Sequence, residues 1–191
     1  MLKNKQIGFC ITGSFCAFKS VIQQIKKLSE VGANVIPIMS NNAYNLDTKF
    51  GKADDFINQI EEITRHKVIC NMQEAELIGA NNLTDVMAII PCSGNTIAKL
   101  ANGIADTPVL VSVKYHLRNG KNLVIGISTN DGLSANASNI GILLNSQHYY
   151  FVPFRQNNPI TKPFSLSFEP ELIMKSIEKS LENEQLQPLL L

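Results

Sequence analysis

The sequence alternates short apolar runs of strand length with segments whose apolar residues recur at helical spacing, and this alternation is the feature that most restricts its fold. In the first unit, residues 6–12 (QIGFCIT) predict a buried strand, residues 13–15 a turn, and residues 16–31 a helix that ends at Gly32. Repeated units of this kind are typical of a parallel sheet with crossover helices. The pattern therefore predicts an α/β fold with a three-layer, doubly wound, Rossmann-like sheet whose strands are mostly parallel.

The same two patterns continue along the rest of the chain. Further strands are predicted at residues 33–40, 85–91, 108–114, 122–129 and 149–154, with a short candidate at 67–70. Further helices are predicted at residues 52–66, 95–105, 133–144 and 170–184, and a loop punctuated by prolines at 153–163. A chain of 191 residues that is 45% apolar can bury one sizeable core, so we expect a single domain over residues 1–191 with a C-terminal tail from about residue 185.

The charge of the chain and its cysteine content indicate which binding partners and which cellular compartment to expect. Seventeen Lys and Arg against sixteen Asp and Glu give a net charge of +1 without a basic cluster, so neither nucleic acid nor an anionic membrane is an expected partner. The four cysteines form no C-x-x-C pair, which predicts no metal site and no disulfide framework and favours a reducing cytoplasm. Because Phe15 precedes Cys16, the opening segment fits a first strand and its turn better than a lipoprotein signal.

Small polar residues follow four of the predicted strands, in TGSF (12–15), SNN (40–42), PCSGNT (91–96) and STN (128–130). Ligands of doubly wound folds bind outside the carboxyl ends of the strands. Hydroxyl and amide groups beside free N–H groups at helix starts suit a phosphate, although each of these residues could alternatively be a plain helix cap or turn residue. Residues 13–18 (GSFCAF) lack the G-x-G-x-x-G fingerprint, and no Walker lysine motif is present, which leaves a mononucleotide such as a flavin.

One of these loops carries a longer resemblance. Residues 91–106 (PCSGNTIAKLANGIAD) resemble the P-x-S/T-x-N-T-I-x-K-x-A-x-G-I-A-D signature of the flavoprotein family that includes phosphopantothenoylcysteine decarboxylase and the peptidyl-cysteine decarboxylases. The resemblance implies a flavoprotein-type fold, assembly as trimers or multiples of trimers, and an FMN site. The cofactor-binding residues that it and the strand ends imply are Gly13, Ser14, Phe15, Ser40, Cys92, Ser93, Asn95, Thr96 and Ser128.

Other segments resemble one branch of that family. Residues 112–145, 150–166 and 186–191 are similar to the B subunits of two-subunit enzymes that make dipicolinate (pyridine-2,6-dicarboxylate) in spore-forming bacteria. This resemblance implies a role in sporulation in the mother-cell cytoplasm, a partner A subunit that binds NADP, and oxidation of dihydrodipicolinate to dipicolinate. Two carboxylates call for cationic or amide donors, and the candidates are Asn130, Arg118, Arg155 and Lys162.

The chain departs from the decarboxylases at two places. Residues 71–83 contain no histidine where that family has its catalytic histidine, and residues 127–130 read ISTN instead of P-x-M-N. His66, His116 and His148 are each predicted to be surface or boundary residues. No histidine or cysteine is paired with a catalytic partner by spacing, so the catalytic residue stays unassigned. Two alternatives therefore remain open: a non-catalytic flavin-binding or scaffold subunit that stabilises the A subunit, and an FMN-dependent decarboxylase of a cysteine-like substrate.

Overall fold

The computed structural model describes residues 1–191 and contains one seven-stranded sheet with helices on both faces. The strands are β1 (Gln6–Ile11), β2 (Asn34–Met39), β3 (Val86–Cys92), β4 (Leu123–Thr129), β5 (Tyr149–Phe151), β6 (Phe154–Asn158) and β7 (Lys162–Phe168). The α-helices are α1 (Phe18–Glu30), α2 (Asn41–Asn45), α3 (Ala53–Thr64), α4 (Met72–Ala80), α5 (Gly94–Ala101), α6 (Pro108–Arg118), α7 (Ala137–Leu144) and α8 (Ile173–Leu181). None of these helices is long and apolar enough to cross a membrane.

The first five strands form the parallel part of the sheet in the order β2-β1-β3-β4-β5. From β1 the chain moves outward to β2 on one side, and from β3 it moves outward to β4 and β5 on the other. A topological switch point therefore lies between β1 and β3. Ligands of such sheets bind in the crevice beyond the carboxyl ends of the strands at that point. The predicted α/β, mostly parallel, doubly wound fold is confirmed.

Two apolar clusters cover the two faces of the sheet and give the fold its three layers. One cluster packs α1, α3 and α8 on the face that carries Phe9 of β1 and Ile90 of β3. The other packs α4, α5, α6 and α7 on the face that carries Cys10 and Ile89. Successive residues of the inner strands point to opposite faces, and both faces are dry, so these strands read as continuous apolar runs.

The strand predicted at residues 108–114 is wrong, because these residues begin α6. The hydroxyl of Thr107 caps the helix by accepting a hydrogen bond from the N–H of Leu110, and Pro108 occupies the first turn, where its missing N–H costs nothing. Residues 108–113 are all buried, since α6 lies against the sheet, α4 and α5. A short helix buried on nearly all sides has the same continuous apolar pattern as a buried strand.

The loop predicted at residues 153–163 is also wrong, because the chain forms an antiparallel hairpin there from β6 and β7. Strand β5 is three residues long and pairs only with the first half of β4, at Leu123–Ile125. Strand β7 pairs with the second half, where Ser128 and Thr129 lie opposite Ser167 and Leu166. The hairpin thereby extends over the carboxyl end of the sheet.

Two shorter segments also differ from the predictions. Helix α4, at residues 72–80, was not predicted, and its first turn is capped by Asn71, whose side chain accepts a hydrogen bond from the N–H of Glu74. The strand candidate at residues 67–70 is reduced to a single bridge between Ile69 and Ile38. Only Ala75, Ile78 and Gly79 of α4 are buried, which is too few to give the segment a clear helical period.

Candidate functional site

A polar cleft lies at the carboxyl ends of β1, β3 and β4, at the switch point of the sheet. Its volume is about 660 Å³, within the range of about 300–1,000 Å³ that small-molecule sites occupy. Only four of its sixteen lining residues are hydrophobic. The lining residues are Gly13, Ser14, Phe15, Cys16, Lys49, Phe50, Ser93, Gly94, Asn95, Ser128, Thr129, Asn130, Asp131, Asn157, Lys162 and Leu166.

Thr12 joins the ends of β1 and β3 at the floor of the cleft. Its buried hydroxyl donates a hydrogen bond to the carbonyl oxygen of Pro91 at 2.7 Å and accepts one from the N–H of Ser93 at 2.9 Å. The β3–β4 register shifts between Ile89 and Cys92, which is the mark of a β-bulge. The bulge and the Thr12 bridge together fix where the Ser93 loop leaves the sheet.

The first turn of α5 forms the central wall of the cleft. Ser93 precedes the helix in an extended conformation, and its hydroxyl contacts that of Thr96 at 3.1 Å. The N–H groups of Gly94, Asn95 and Thr96 have no acceptor within the chain, as expected for a first helical turn. Gly94 is required here by space, because a Cβ at this position would lie 2.4 Å from the hydroxyl oxygen of Thr129.

A hydrogen-bonded carboxylate closes the far side of the same turn. Asp131 accepts hydrogen bonds from the Thr129 hydroxyl at 2.5 Å and from the Asn136 amide at 2.9 and 3.0 Å. These bonds, that from Thr129 first, hold the pKa of Asp131 below its ordinary value. Asp131 is therefore a fixed negative charge and a weak base in the cleft.

A loop that no motif in the sequence marks as functional contributes Lys49 and Phe50. It connects α2 to α3, and the Lys49 ammonium lies 5.3 Å from the centre of the Phe50 ring. Phe50 is 40% exposed, so its ring presents apolar surface to the cleft. A phenylalanine in a polar loop next to a lysine was the one signal in the sequence that could have found this loop.

The β6–β7 hairpin supplies the remaining wall through Asn157, Lys162 and Leu166. Leu166 packs against Gly132, where a Cβ would lie 2.7 Å from the leucine Cδ1. Lys162 is a candidate from the sequence, whereas Asn157 and Leu166 are not, because the β6–β7 hairpin that brings them to the cleft is not predicted.

Most of the residues predicted to bind the cofactor line the cleft, and three do not. Gly13, Ser14, Phe15, Ser93, Asn95 and Ser128 are in its lining. Cys92 is fully buried in the core, Thr96 lies behind Ser93, and Ser40 caps α2 at the same edge of the sheet.

Of the four candidate substrate-binding residues, Lys162 lines the cleft and the other three are placed differently from one another. Asn130 lines the cleft. Arg118 ends α6 shortly before β4 begins, so it lies at the opposite edge of the sheet and cannot reach a ligand in the cleft. The exposed Arg155 pairs with Glu169 and is not in the lining.

No histidine lines the cleft, and the cysteines divide into buried and accessible groups. His116, which the sequence suggested to be a surface or boundary residue, is 1% exposed, between the Thr84 hydroxyl and the carbonyl oxygen of Asn122, both at 2.9 Å. Burial lowers its pKa to about 4, so the ring is neutral and has a structural role. Burial likewise raises the pKa of the Cys10 thiol to about 12, whereas Cys16 is exposed at the cleft.

Comparison with known proteins identifies the family of the chain. A model of the flavoprotein family matches residues 1–159. The B subunit of dipicolinate synthase from Bacillus subtilis (strain 168) is 40% identical over 189 residues, which are 99% of this chain and 94% of that protein. The crystal structure of the corresponding B subunit from Bacillus halodurans C is 42% identical, covers 100% of this chain and 97% of its own, and superposes with a TM-score of 0.91.

A more distant structure shares the fold. The FMN-dependent cysteine decarboxylase SpaF is 22% identical, covers 94% of this chain and 99% of its own, and has a TM-score of 0.71. The family resemblance read from residues 91–106 is confirmed. Since the family model spans most of the sequence and a relative aligns with nearly all of it at 40% identity, the chain belongs to the flavoprotein family and is similar from end to end to the B subunits of dipicolinate synthase.

Proposed function

We propose that the cleft binds FMN and that the chain acts as the B subunit of a dipicolinate synthase. In this role it supports the oxidation of dihydrodipicolinate to dipicolinate together with an A subunit that binds NADP. The observation that carries the proposal is a polar cleft at the β1/β3 switch point of a chain that is 40% identical to a dipicolinate synthase B subunit over 99% of its length.

The cleft fits a flavin mononucleotide in its donors, its aromatic surface and its size. The N–H groups of Gly13, Phe15 and Cys16 have no acceptor within the chain, and such a turn at a helix start favours a phosphate. The rings of Phe15 and Phe50 line the same cleft and offer apolar surface to a planar ring system. The volume of about 660 Å³ suits a ligand of this class.

The charge distribution favours one orientation of the nucleotide. A Cβ at Gly94 would lie 2.8 Å from an oxygen of Asp131, so the positive end of α5 already faces a carboxylate. A dianionic phosphate is therefore favoured at the turn after β1, beside Gly13, Ser14 and Ser40. The Ser14 hydroxyl already donates its proton to the carbonyl oxygen of Ser128, so it does not donate one to the phosphate. Ser14 contributes by holding the turn in place. The ring would then lie towards Ser93, Asn95 and Ser128.

The dicarboxylate substrate would be bound from the other side of the cleft. When bound, FMN supplies a two-electron acceptor, and such chemistry asks the protein mainly for orientation and electrostatics. The amide of Asn130 and the ammonium of Lys162 are the donors that can hold carboxylates there. We assign no catalytic base to this chain, because Asp131 is a weak base and no histidine lines the cleft.

The biological setting follows from the same similarity. We place the chain in the mother-cell cytoplasm of a sporulating bacterium, as a single flavoprotein domain with a short C-terminal tail. It would assemble as a trimer or a multiple of trimers and bind the A subunit of dipicolinate synthase, with the nicotinamide cofactor on that partner.

The lack of an assigned catalytic base in the cleft favours a second candidate function. The chain could bind flavin without using it, or serve only to stabilise the A subunit, which would then carry out the dehydrogenation alone. Both functions predict a complex, but they differ in what each of the two proteins can do by itself.

The decisive experiment is to purify the chain together with the A subunit of dipicolinate synthase and to record the absorbance spectrum and the mass of any released cofactor. We expect a flavin spectrum, the mass of FMN, and full dehydrogenase activity only when both proteins are present. A colourless complex, with full activity in an isolated A subunit, would establish the scaffold function instead. Carbon dioxide release from cysteine-like thiols would identify a decarboxylase.

A further inference from the structure

We propose that Lys49, on the loop between α2 and α3, recognises the phosphate group of the nucleotide, whereas Lys162, on the β6–β7 hairpin, recognises a carboxylate of the substrate. The inference rests on the proposed function, because it assigns the two anions of that reaction to two residues of the same cleft. It adds Lys49 and its loop to the binding machinery.

Lys49 and Lys162 are the only cationic side chains that line the cleft. No carboxylate oxygen lies within 4.0 Å of either ammonium, although eight ion pairs exist elsewhere in the chain. The one carboxylate in the lining, Asp131, is held by Thr129 and Asn136. Both ammonium groups are therefore available to an anionic ligand, and a charged partner gives the stronger kind of hydrogen bond.

The Lys49 loop lies on the β1/β2 side of the cleft. It follows α2, which begins directly after β2, and the Asn42 Cβ is 3.9 Å from where a Cβ of Gly13 would be. An aromatic cluster joins the loop to the turn after β1. The Phe56 ring packs beneath Gly51 and against Phe18, and the centres of the Phe18 and Phe15 rings are 5.1 Å apart.

The loop is held in a defined conformation before any ligand binds. Thr48 and Gly51 exchange two backbone hydrogen bonds of 3.0 and 3.1 Å, and the Asp47 carboxylate accepts a bond of 2.9 Å from the N–H of Ala53. Gly51 has φ = +154°, and a Cβ there would lie 2.6 Å from the Phe56 ring. A loop that is already ordered loses little conformational entropy when it binds a ligand.

Lys162 enters the cleft from the other side. It begins β7, which pairs with the end of β4 through Ser128 and Thr129. The unpartnered N–H groups after β1 lie on the Lys49 side and suit a phosphate, whereas the Lys162 side carries Asp131 and the amides of Asn130 and Asn157. The division of the two anions follows from the free N–H groups on the Lys49 side, because a phosphate that binds them leaves Lys162 as the remaining cation for a carboxylate.

The test compares FMN with riboflavin, which lacks the phosphate, on the full-length chain. Dissociation constants are measured by quenching of flavin fluorescence for the wild type, Lys49→Met, Lys49→Arg and Lys162→Met. We expect Lys49→Met to weaken FMN binding about tenfold and to leave the affinity for riboflavin unchanged. Lys49→Arg should keep most of the affinity for FMN. Lys162→Met should leave both flavin affinities unchanged. It should weaken the binding of pyridine-2,6-dicarboxylate, which is measured by calorimetry on the FMN-loaded chain.

Lys52→Met is the matched control, because Lys52 is exposed in the same connection, has no ion pair and does not line the cleft. All four variants should keep the wild-type unfolding midpoint. If Lys49→Met leaves the ratio of FMN to riboflavin affinity at the wild-type value, or weakens the dicarboxylate instead, the inference is wrong while FMN binding stands. If the wild type binds neither flavin, the proposed function fails and this inference fails with it.

Discussion

The hydroxyl of Ser14 donates a hydrogen bond to the backbone carbonyl oxygen of Ser128 across 2.6 Å. Ser14 follows β1 and Ser128 lies in β4, so the bond passes over the end of β3, which lies between these two strands. Together with the Thr12 bridge to Pro91 and Ser93, it ties three strand ends into one floor beneath the cleft. The cleft is thus built on contacts between segments far apart in sequence.

Replacing Ser14 by alanine should loosen this floor. We expect Ser14→Ala to lower the free energy of unfolding by about 1 kcal/mol, because the Ser128 carbonyl loses its donor. The same variant should weaken FMN binding several-fold. Urea unfolding and flavin fluorescence measure the two effects. Ser20→Ala is the matched control, since the Ser20 hydroxyl bonds only to the nearby carbonyl of Ala17, and it should not change FMN affinity. Equal effects of the two variants on FMN would contradict the role given to Ser14.

A methyl group at Gly94 should disrupt the wall of the cleft. Its Cβ would lie 2.8 Å from both the Asn136 amide nitrogen and an Asp131 oxygen, so Gly94→Ala should cost about 1–3 kcal/mol of unfolding free energy and abolish tight FMN binding. Gly141→Ala, in α7 with nothing within 4 Å, should be neutral or stabilising by up to about 1 kcal/mol. Calorimetric unfolding measures the change in stability of both variants. A Gly94→Ala protein that is as stable as the wild type and still binds FMN would show that the first turn of α5 has room for a methyl group.

His116 should make the chain less stable in acid. Because burial lowers its pKa to about 4, the unfolded chain takes up a proton below about pH 6.5 while the folded chain does not. Stability should therefore be full above pH 6.5 and fall by up to about 3 kcal/mol towards pH 4.

Urea unfolding between pH 7 and pH 4 measures this fall. His116→Gln should be less stable at pH 7 but should have a shallower pH dependence. Thr84→Val removes the hydroxyl next to Nδ1 and keeps the buried ring, so it should retain the wild-type slope. Identical slopes for the wild type and His116→Gln would assign the acid sensitivity to other groups.

Thiol labelling should separate the four cysteines by location. Iodoacetamide should modify Cys16 first, because it is exposed, and should spare Cys10 and Cys92, whose burial raises the pKa of each thiol. FMN should slow the labelling of Cys16, since this residue lines the cleft, and should not change that of the half-buried Cys70. Mass spectrometry of digested protein gives the rates, with labelling in urea as the control for full access. Unchanged labelling of Cys16 in saturating FMN would place the flavin elsewhere.

The sequence alone determined the features that depend on local pattern. The strand, turn and helix of residues 6–31 can be predicted because each has its own residue pattern. The loop at residues 91–96 indicates a ligand site because small polar residues follow a buried strand. Ser14, Ser93 and Asn130 line the cleft for the same reason: carboxyl ends of parallel strands share one edge.

Only the tertiary structure decided the features that depend on distant partners. Residues 108–113 are helical although they read as a strand, because α4, α5 and the sheet bury them on nearly every side. The hairpin at residues 154–168 exists because the short β5 leaves the end of β4 unpaired. Lys49 and Phe50 reach the cleft because Phe56 and Phe18 join their loop to the turn after β1. The spacing of apolar residues shows which face of a helix or strand is buried. It does not show which other element covers that face, and these contacts depend on that element.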